Sequence, residues 1–201
     1  EQKARRELRL ALRNNPEAVA LVTGCYAELA PDAVASIAPR TIVVPGSRKD
    51  TLAVIAPELV AAFAEGLDLL TEVRRLAELA AGRVPDPFAY LPAEGRFHSR
   101  VQLKIQDGCD NRCTYCRVCL ARGRSVSLDP ATIVSRAAAL AASGVAEIVL
   151  TGVNLSQYSS GGLDCPGLLR RLVSYTDHVA YRVSSYEPDK VDDAFLGAFA
   201  L

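Results

Sequence analysis

Three cysteines lie close together near the middle of the chain, with the spacing Cys109-x3-Cys113-x2-Cys116. Iron–sulfur clusters are normally held by four cysteine thiolates. Three thiolates would hold three corners of a cubane [4Fe–4S] cluster and leave one iron without a protein ligand. The spacing therefore predicts a cluster with an open coordination site at which chemistry can take place.

A zinc site and a disulfide framework are the two alternatives for these cysteines. Zinc ligands are usually paired at two-residue spacing, and His98 and His178 are the only histidines available. Disulfide frameworks are typical of small secreted chains without a large core. Here half of the 201 residues are hydrophobic, and no signal peptide is visible. The iron–sulfur interpretation is favoured over both.

The composition indicates where such a protein would work. Six cysteines, three of them clustered, suit a reducing compartment in which thiolates stay free for metal. No apolar run is long enough to span a bilayer, so we expect a cytoplasmic protein without a membrane partner. The chain contains no methionine and opens within a helical pattern, so we also expect it to be part of a longer protein.

Positive charge is concentrated around the cysteines, although the net charge of the chain is zero. Residues 96–125 carry an excess of five positive charges over Asp107 and Asp110. The basic residues are Arg96, Arg100, Lys104, Arg112, Arg117, Arg122 and Arg124. A basic surface at a candidate site suits a polyanion such as nucleic acid. Solvated arginines, or arginines that compensate an anionic cluster, explain the same charges equally well.

Two stretches of alternating strands and helices predict an α/β fold with parallel sheets. In the first stretch we expect helices at 1–14, from about 31, and at 57–81, with strands at 19–22 and 41–44. In the second we expect strands at 101–106, 147–150 and 179–184, helices at 130–142 and 168–174, and a further helix opening at 189–193. The predicted domains are a partial parallel βαβ domain (1–81), a linker (82–96) and the first half of a (β/α) barrel (97–201).

Polar and small residues follow each strand of the second stretch. Cys109 follows the first strand, the segment 151–154 the second, and Ser184 and Ser185 the third. In β/α barrels the carboxyl ends of the strands form the site of chemistry. We therefore expect these residues to converge.

Several segments in the same order resemble the radical S-adenosylmethionine (SAM) methylthiotransferases. The segment 104–116, which contains the three cysteines and an aromatic residue before the last of them, is similar to the cluster loop of that family. The segments 121–123, 147–155 and 184–188 are similar to motifs that follow it, and 22–27 resembles the third cysteine segment of the family's amino-terminal domain. The resemblance covers nearly the whole chain and is weakest at about 48–95.

The form of two motifs points to one branch of the family. The Gln106-Asp107-Gly108-Cys109 loop and the segment 151–155 are most similar to the branch that acts on tRNA threonylcarbamoyladenosine. That resemblance implies transfer of a methylthio group to carbon 2 of the modified adenosine next to the anticodon. Isopentenyladenosine in tRNA and a ribosomal protein are the alternative substrates. The alternative that is not an enzyme is a zinc-stabilised nucleic-acid-binding module.

The resemblance also assigns residues. Cys109, Cys113 and Cys116 would hold a [4Fe–4S] cluster whose open iron binds SAM, and Cys25 would be one ligand of a second cluster in the full-length protein. The remaining candidates are SAM contacts at Tyr115, Gly152, Asn154, Ser184, Ser185 and Glu187, and tRNA contacts at Arg122 and Arg124. The implied partners are tRNA and an electron donor such as flavodoxin or ferredoxin. Cys119 and Cys165 are interpreted as incidental thiols.

We expect alanine at Cys109, Cys113 or Cys116 to abolish the loop cluster, because two thiolates hold too few of its irons. Iron content after anaerobic reconstitution and the yield of 5′-deoxyadenosine from SAM measure the loss. Cys119→Ala is the matched control and should retain both. Near-normal 5′-deoxyadenosine production by any one of the three loop variants would contradict the assignment.

Overall fold

The structure is a computed structural model that describes residues 1–82, 86–89 and 100–200. Most of the predicted linker, together with Arg96 and His98, lies outside these residues. The described chain divides into two compact units. The first comprises 1–82, 86–89 and 120–122, and the second comprises 100–119 and 123–200. The bounds of the predicted domains stay a prediction.

The first unit contains a pair of parallel strands with helices before, between and after them. Its elements are α1 (Gln2–Asn14), β1 (Ala20–Val22), α2 (Cys25–Leu29), α3 (Pro31–Ala35), β2 (Thr41–Val43), a 3-10 helix (Gly46–Thr51), α4 (Leu52–Ala64) and α5 (Leu69–Ala81). Strands β1 and β2 pair in parallel with Leu21 opposite Ile42. This is the βαβ arrangement that the sequence predicts.

The prediction of one helix over 57–81 is wrong, because the structure has two helices there, α4 and α5. The chain turns at Gly66, whose φ of +73° lies in the left-handed region that ends many helices. Asp68 then caps the start of α5, since its carboxylate accepts hydrogen bonds from the Thr71 N–H (2.9 Å) and hydroxyl (2.6 Å). These two bonds lower the pKa of Asp68.

The second unit is built on a three-stranded parallel sheet. Its elements are β3 (Arg100–Lys104), β4 (Gln106–Asp107), α6 (Val118–Arg122, which ends in residues of the first unit), β5 (Val126–Ser127), α7 (Pro130–Ala142), β6 (Glu147–Thr151), a 3-10 helix (Leu155–Gln157), β7 (Ser159–Ser160), β8 (Leu163–Asp164), α8 (Cys165–Tyr175), β9 (Ala180–Val183), a 3-10 helix (Pro188–Lys190) and α9 (Asp193–Ala198). The strand order is β3-β6-β9. The expected α/β class with a partial parallel barrel is confirmed.

The core of the second unit lies between this sheet and the helices that connect its strands. Burial alternates along β3, where Val101 and Leu103 are buried, Arg100 and Gln102 are exposed and Lys104 is half-buried. The central strand β6 is buried at Ile148, Val149 and Leu150 together, as expected for a parallel strand covered on both faces. Helices α7 and α8 cover the sheet with Ile133, Ala137, Leu140, Leu168, Leu169 and Leu172.

The prediction of a single strand over 101–106 needs a correction. Strand β3 pairs with β6 only as far as Lys104 opposite Thr151, and Ile105 adds one further bond to the Thr151 carbonyl at 2.9 Å. Beyond it Gln106 and Asp107 pair instead with β5, in the antiparallel sense. The backbone therefore changes partner three residues before Cys109.

Within the described residues, no helix is both long enough and apolar enough to cross a membrane.

Candidate active site

The cysteine loop starts directly after β4, at the carboxyl edge of the sheet. The amide of Cys109 donates to the Gly123 carbonyl at 3.1 Å, and the amide of Cys116 donates to the Cys113 carbonyl at 3.0 Å. All three thiols are free; Cys113 is exposed, while Cys109 and Cys116 are half-buried. Three free, accessible thiols within eight residues are the donor set that a cubane cluster requires.

Those thiols do not yet form a metal-binding group. In the part of the chain that the structure describes, no three Cys, His, Asp or Glu side chains are gathered closely enough to hold a metal ion. The three free thiols are nevertheless the ligand type that an iron–sulfur cluster takes. The role of the three residues as ligands stays a prediction.

Gln106 lies beneath the loop and is fully buried. Its side-chain nitrogen donates to the carbonyls of Asp107 (2.9 Å) and Gly108 (2.7 Å) and to the Ser125 hydroxyl (2.9 Å). Its side-chain oxygen accepts from the amides of Val153 and Asn154, each at 2.9 Å. One amide group thus joins the start of the cysteine loop to the turn after β6.

Gly108 permits a very close approach between the cysteine loop and the segment that returns from it. A Cβ added at Gly108 would lie 1.9 Å from the Arg124 carbonyl oxygen, and the φ of Gly108 is +71°. Neither the contact nor the backbone conformation suits any other residue. The residue before Cys109 is therefore a glycine for reasons of both space and geometry.

A second glutamine fixes the next residues of the loop. The Gln157 side chain accepts from the Asp110 amide and donates to the Asn111 side chain, both at 2.9 Å. The Asp110 carboxylate accepts from the Ser125 amide at 3.3 Å and pairs with Arg124 at 3.4 Å. The loop is thus bound on both sides up to Asn111, while Arg112, Cys113 and the residues up to Tyr115 are exposed.

Asn154 and Gly152 follow β6 and lie beside the cysteine loop, as expected for residues at the carboxyl end of a neighbouring strand. Asn154 is buried, and its side-chain nitrogen lies 3.9 Å from the Cys109 sulfur. A Cβ added at Gly152 would lie 2.7 Å from the Gln106 side-chain oxygen and equally close to Leu155. The space that glycine leaves is therefore filled by protein atoms. A SAM contact at 152 would have to use the backbone.

The residues after β9 also reach this edge. The Ser184 hydroxyl donates to the Leu150 carbonyl (3.1 Å), and the Ser185 hydroxyl to the Gly152 carbonyl (3.2 Å). Ser185 has a φ of +59°, an uncommon conformation for serine that is often found at functional sites. Glu187 is exposed and precedes the 3-10 helix. The structure brings Ser184 and Ser185 to the turn after β6; the SAM contacts of all three stay predictions.

The remaining candidates lie on exposed or separate parts of the molecule. Tyr115 is 88% exposed, and the Arg124 side chain is 91% exposed. Arg122 ends α6 and is half-buried. Cys25 begins α2 in the first unit, just after β1, and its thiol is free and exposed. Their roles toward SAM, tRNA and a second cluster stay predictions.

The two cysteines interpreted as incidental differ in environment. Cys165 is buried, and this burial raises the pKa of its thiol to about 12. It therefore stays protonated at neutral pH and is a poor metal ligand or nucleophile. Cys119 lies in α6 and is half-buried.

Gln106 and Gln157 are site residues that the sequence patterns do not indicate. Gln106 stands within the motif that carries the resemblance, but its type alone indicates no role. A usable signal was present, since an amide side chain at the end of a buried strand must find partners for both its donors and its acceptor.

Comparison with known proteins identifies the family. Residues 103–198 match the radical SAM superfamily. The chain is 37% identical to the threonylcarbamoyladenosine tRNA methylthiotransferase MtaB of Treponema pallidum, in an alignment that covers 100% of this chain and 52% of that protein. The MtaB of Aquifex aeolicus is 32% identical, over 98% of this chain and 46% of its own length. The chain belongs to the radical-SAM methylthiotransferase family.

Membership of this family implies a [4Fe–4S] cluster and SAM as cofactors. The family match begins within β3 and includes the cysteine loop, the sheet and α9. A putative methylthiotransferase of Helicobacter pylori is 36% identical over 49% of the chain. The chain spans about half the length of the MtaB relatives that it matches.

We expect Gly108→Ala to distort the cysteine loop, because its Cβ would overlap the Arg124 carbonyl. Gly144→Ala is the matched control: Gly144 also has a positive φ, of +87°, but a Cβ there meets no atom within 4 Å. Both variants carry the conformational cost of about 1 kcal/mol, and only Gly108→Ala adds the clash. Urea unfolding followed by circular dichroism should show a clearly larger loss for Gly108→Ala. Equal losses would contradict the close contact.

Proposed function

We propose that this chain is part of an enzyme that adds a methylthio group to carbon 2 of threonylcarbamoyladenosine, next to the anticodon of tRNA. The main support is that the loop with three free thiols lies next to the turn after β6. The names of the MtaB relatives, which match along the whole chain, supply the substrate. The proposed enzyme works in the cytoplasm, where tRNA is present.

In this proposal Cys109, Cys113 and Cys116 hold the loop cluster, and the backbone at 152–154 borders the SAM pocket. When bound, the cluster and SAM supply one-electron cleavage of a carbon–sulfur bond. The protein's part is to position the cofactors and to exclude water. The side chain of Asn154 would donate toward the Cys109 sulfur, an interaction of the kind that tunes cluster potentials.

Three further elements of the proposal lie outside this loop. Cys25 would be one ligand of a second cluster in the full-length protein. An electron donor such as flavodoxin or ferredoxin would reduce the clusters. Tyr115, Ser184, Ser185 and Glu187 would contact SAM, for which the convergence of Ser185 on Gly152 is the structural support.

Analysis of tRNA nucleosides tests the substrate. A strain that lacks the gene should contain threonylcarbamoyladenosine without its methylthio group, and a plasmid copy should restore the group. A Cys109→Ala copy should not restore it. Loss of the methylthio group only from isopentenyladenosine, or only from a ribosomal protein, would assign the substrate to another branch. A purified protein that binds zinc tightly and takes up no iron would instead support the nucleic-acid-binding module.

Arg122 and Arg124 provide a test of tRNA binding. If each contacts a phosphate, the double alanine variant should lower the slope of log affinity against log salt by about 1.4 to 1.8, since each contact contributes about 0.7 to 0.9. Arg9→Ala with Arg13→Ala, which removes two exposed charges from α1, is the matched control. SAM cleavage without tRNA should be unchanged. Unchanged tRNA affinity with lost SAM cleavage would assign these arginines to the cluster instead.

A further inference from the structure

The change of backbone partner after Ile105 leaves two N–H groups of the turn after β6 without a strand to bond. The register of β3 and β6 places Lys104 opposite Thr151, so a continued strand would lie beside Val153. The backbone of Gln106 instead pairs with Ser127 of β5. The Gln106 side-chain oxygen accepts from both Val153 and Asn154 and takes the place of the missing strand.

The other end of the same side chain holds the cysteine loop. Its nitrogen donates to the carbonyls of Asp107 and Gly108, the two residues that precede Cys109, and to the Ser125 hydroxyl on the returning segment. A neutral amide is the side chain of this length that offers donors and an acceptor together. Glutamate has no donors when ionised, and methionine has neither group.

The segments held by the two ends of the Gln106 side chain both lie next to Cys109. On one side the chain passes from Gly108 into Cys109, whose amide donates to Gly123. On the other side the buried side chain of Asn154, whose own amide is held by Gln106, reaches to 3.9 Å from the Cys109 sulfur. The absence of a Cβ at Gly152 leaves the room that the Gln106 amide occupies.

We propose that Gln106 is a positioning residue that sets Cys109 and the backbone at 152–154 in a fixed relation before any cofactor binds. The purpose of this positioning rests on the proposed function, because that function makes Cys109 a cluster ligand and 152–154 the border of the SAM pocket. The hydrogen bonds that Gln106 makes do not depend on that function. Gln106 touches neither cofactor in this role and acts through the residues that it holds.

Thiol labelling of the metal-free, full-length protein tests the geometry. Gln106→Met removes the amide with little change in length or charge, and Gln102→Met, at an exposed glutamine on β3, is the matched control. Short exposure to iodoacetamide is followed by tryptic digestion and mass spectrometry. Cleavage after Arg112 and Arg117 separates Cys109 from Cys113 and Cys116. The buried Cys165 reports on opening of the whole unit.

We expect Gln106→Met to raise the labelling of Cys109 by about tenfold relative to that of the peptide 113–117, which carries Cys113 and Cys116, because buried backbone groups lose their partners. Gln102→Met should leave this ratio unchanged, and Cys165 should stay unlabelled in all proteins. An unchanged ratio in Gln106→Met would overturn the proposal. Labelling of Cys165 in step with Cys109 would also overturn it, since Gln106 would then support the core in general and not the loop.

Cofactor binding provides the second measurement. After anaerobic reconstitution, we expect Gln106→Met to retain loop iron but to bind SAM about tenfold more weakly, while Gln102→Met matches the unsubstituted protein. Equal SAM affinity in Gln106→Met and the unsubstituted protein would overturn the positioning role. An unsubstituted protein that neither takes up iron nor cleaves SAM would contradict the proposed function instead, and the labelling result would still decide the geometry.

Discussion

The site depends on how the chain ends one β-ladder and begins another. The backbone leaves β6 after Ile105, and the next two residues, which form β4, pair with β5 and lead into the cysteine loop. Such a change exposes N–H groups at the edge of the sheet, and a buried N–H without a partner costs about 1 to 3 kcal/mol. The Gln106 side chain satisfies these groups. The Gln106 side chain, which satisfies the end of the sheet, therefore also fixes where the cysteine loop starts.

This arrangement requires glycine at two positions, 108 and 152. The Gln106 amide occupies the space beside residue 152, so a side chain there would collide with it. The returning segment at Gly123 and Arg124 packs directly on residue 108, which excludes a Cβ there as well. In both positions glycine makes room for protein atoms. The close packing around the loop is thus a consequence of the partner change, independent of any cofactor.

The sequence predicted elements well wherever local signals agree. Helix α7 has the bounds that were expected, 130–142, because Asp129 caps it, Pro130 suits its first turn and Gly144 follows its end. The prediction of one helix over 57–81 is wrong because alanine and leucine continue on both sides of a short break, which Gly66 and the capping residue Asp68 mark. The three cysteines are recognisable from spacing alone. The role of Gln106 is not, because three of its five partners, Ser125, Val153 and Asn154, are distant in sequence, and spacing does not show which distant groups a buried amide will bond.

The hydrogen bonds that hold the cysteine loop are concentrated at its first residues. The backbone of Cys109 is bonded to Gly123, and the residues next to Cys109 are bonded to Gln106 and Gln157. Cys113 is exposed, and its carbonyl accepts a turn bond from the Cys116 amide. Ordering a residue costs about 1 to 2 kcal/mol of backbone entropy. That cost is already met at Cys109 by folding. The sheet edge is therefore the fixed point of the cysteine loop, because the bonds from Gln106, Gly123 and Gln157 place Cys109 relative to that edge.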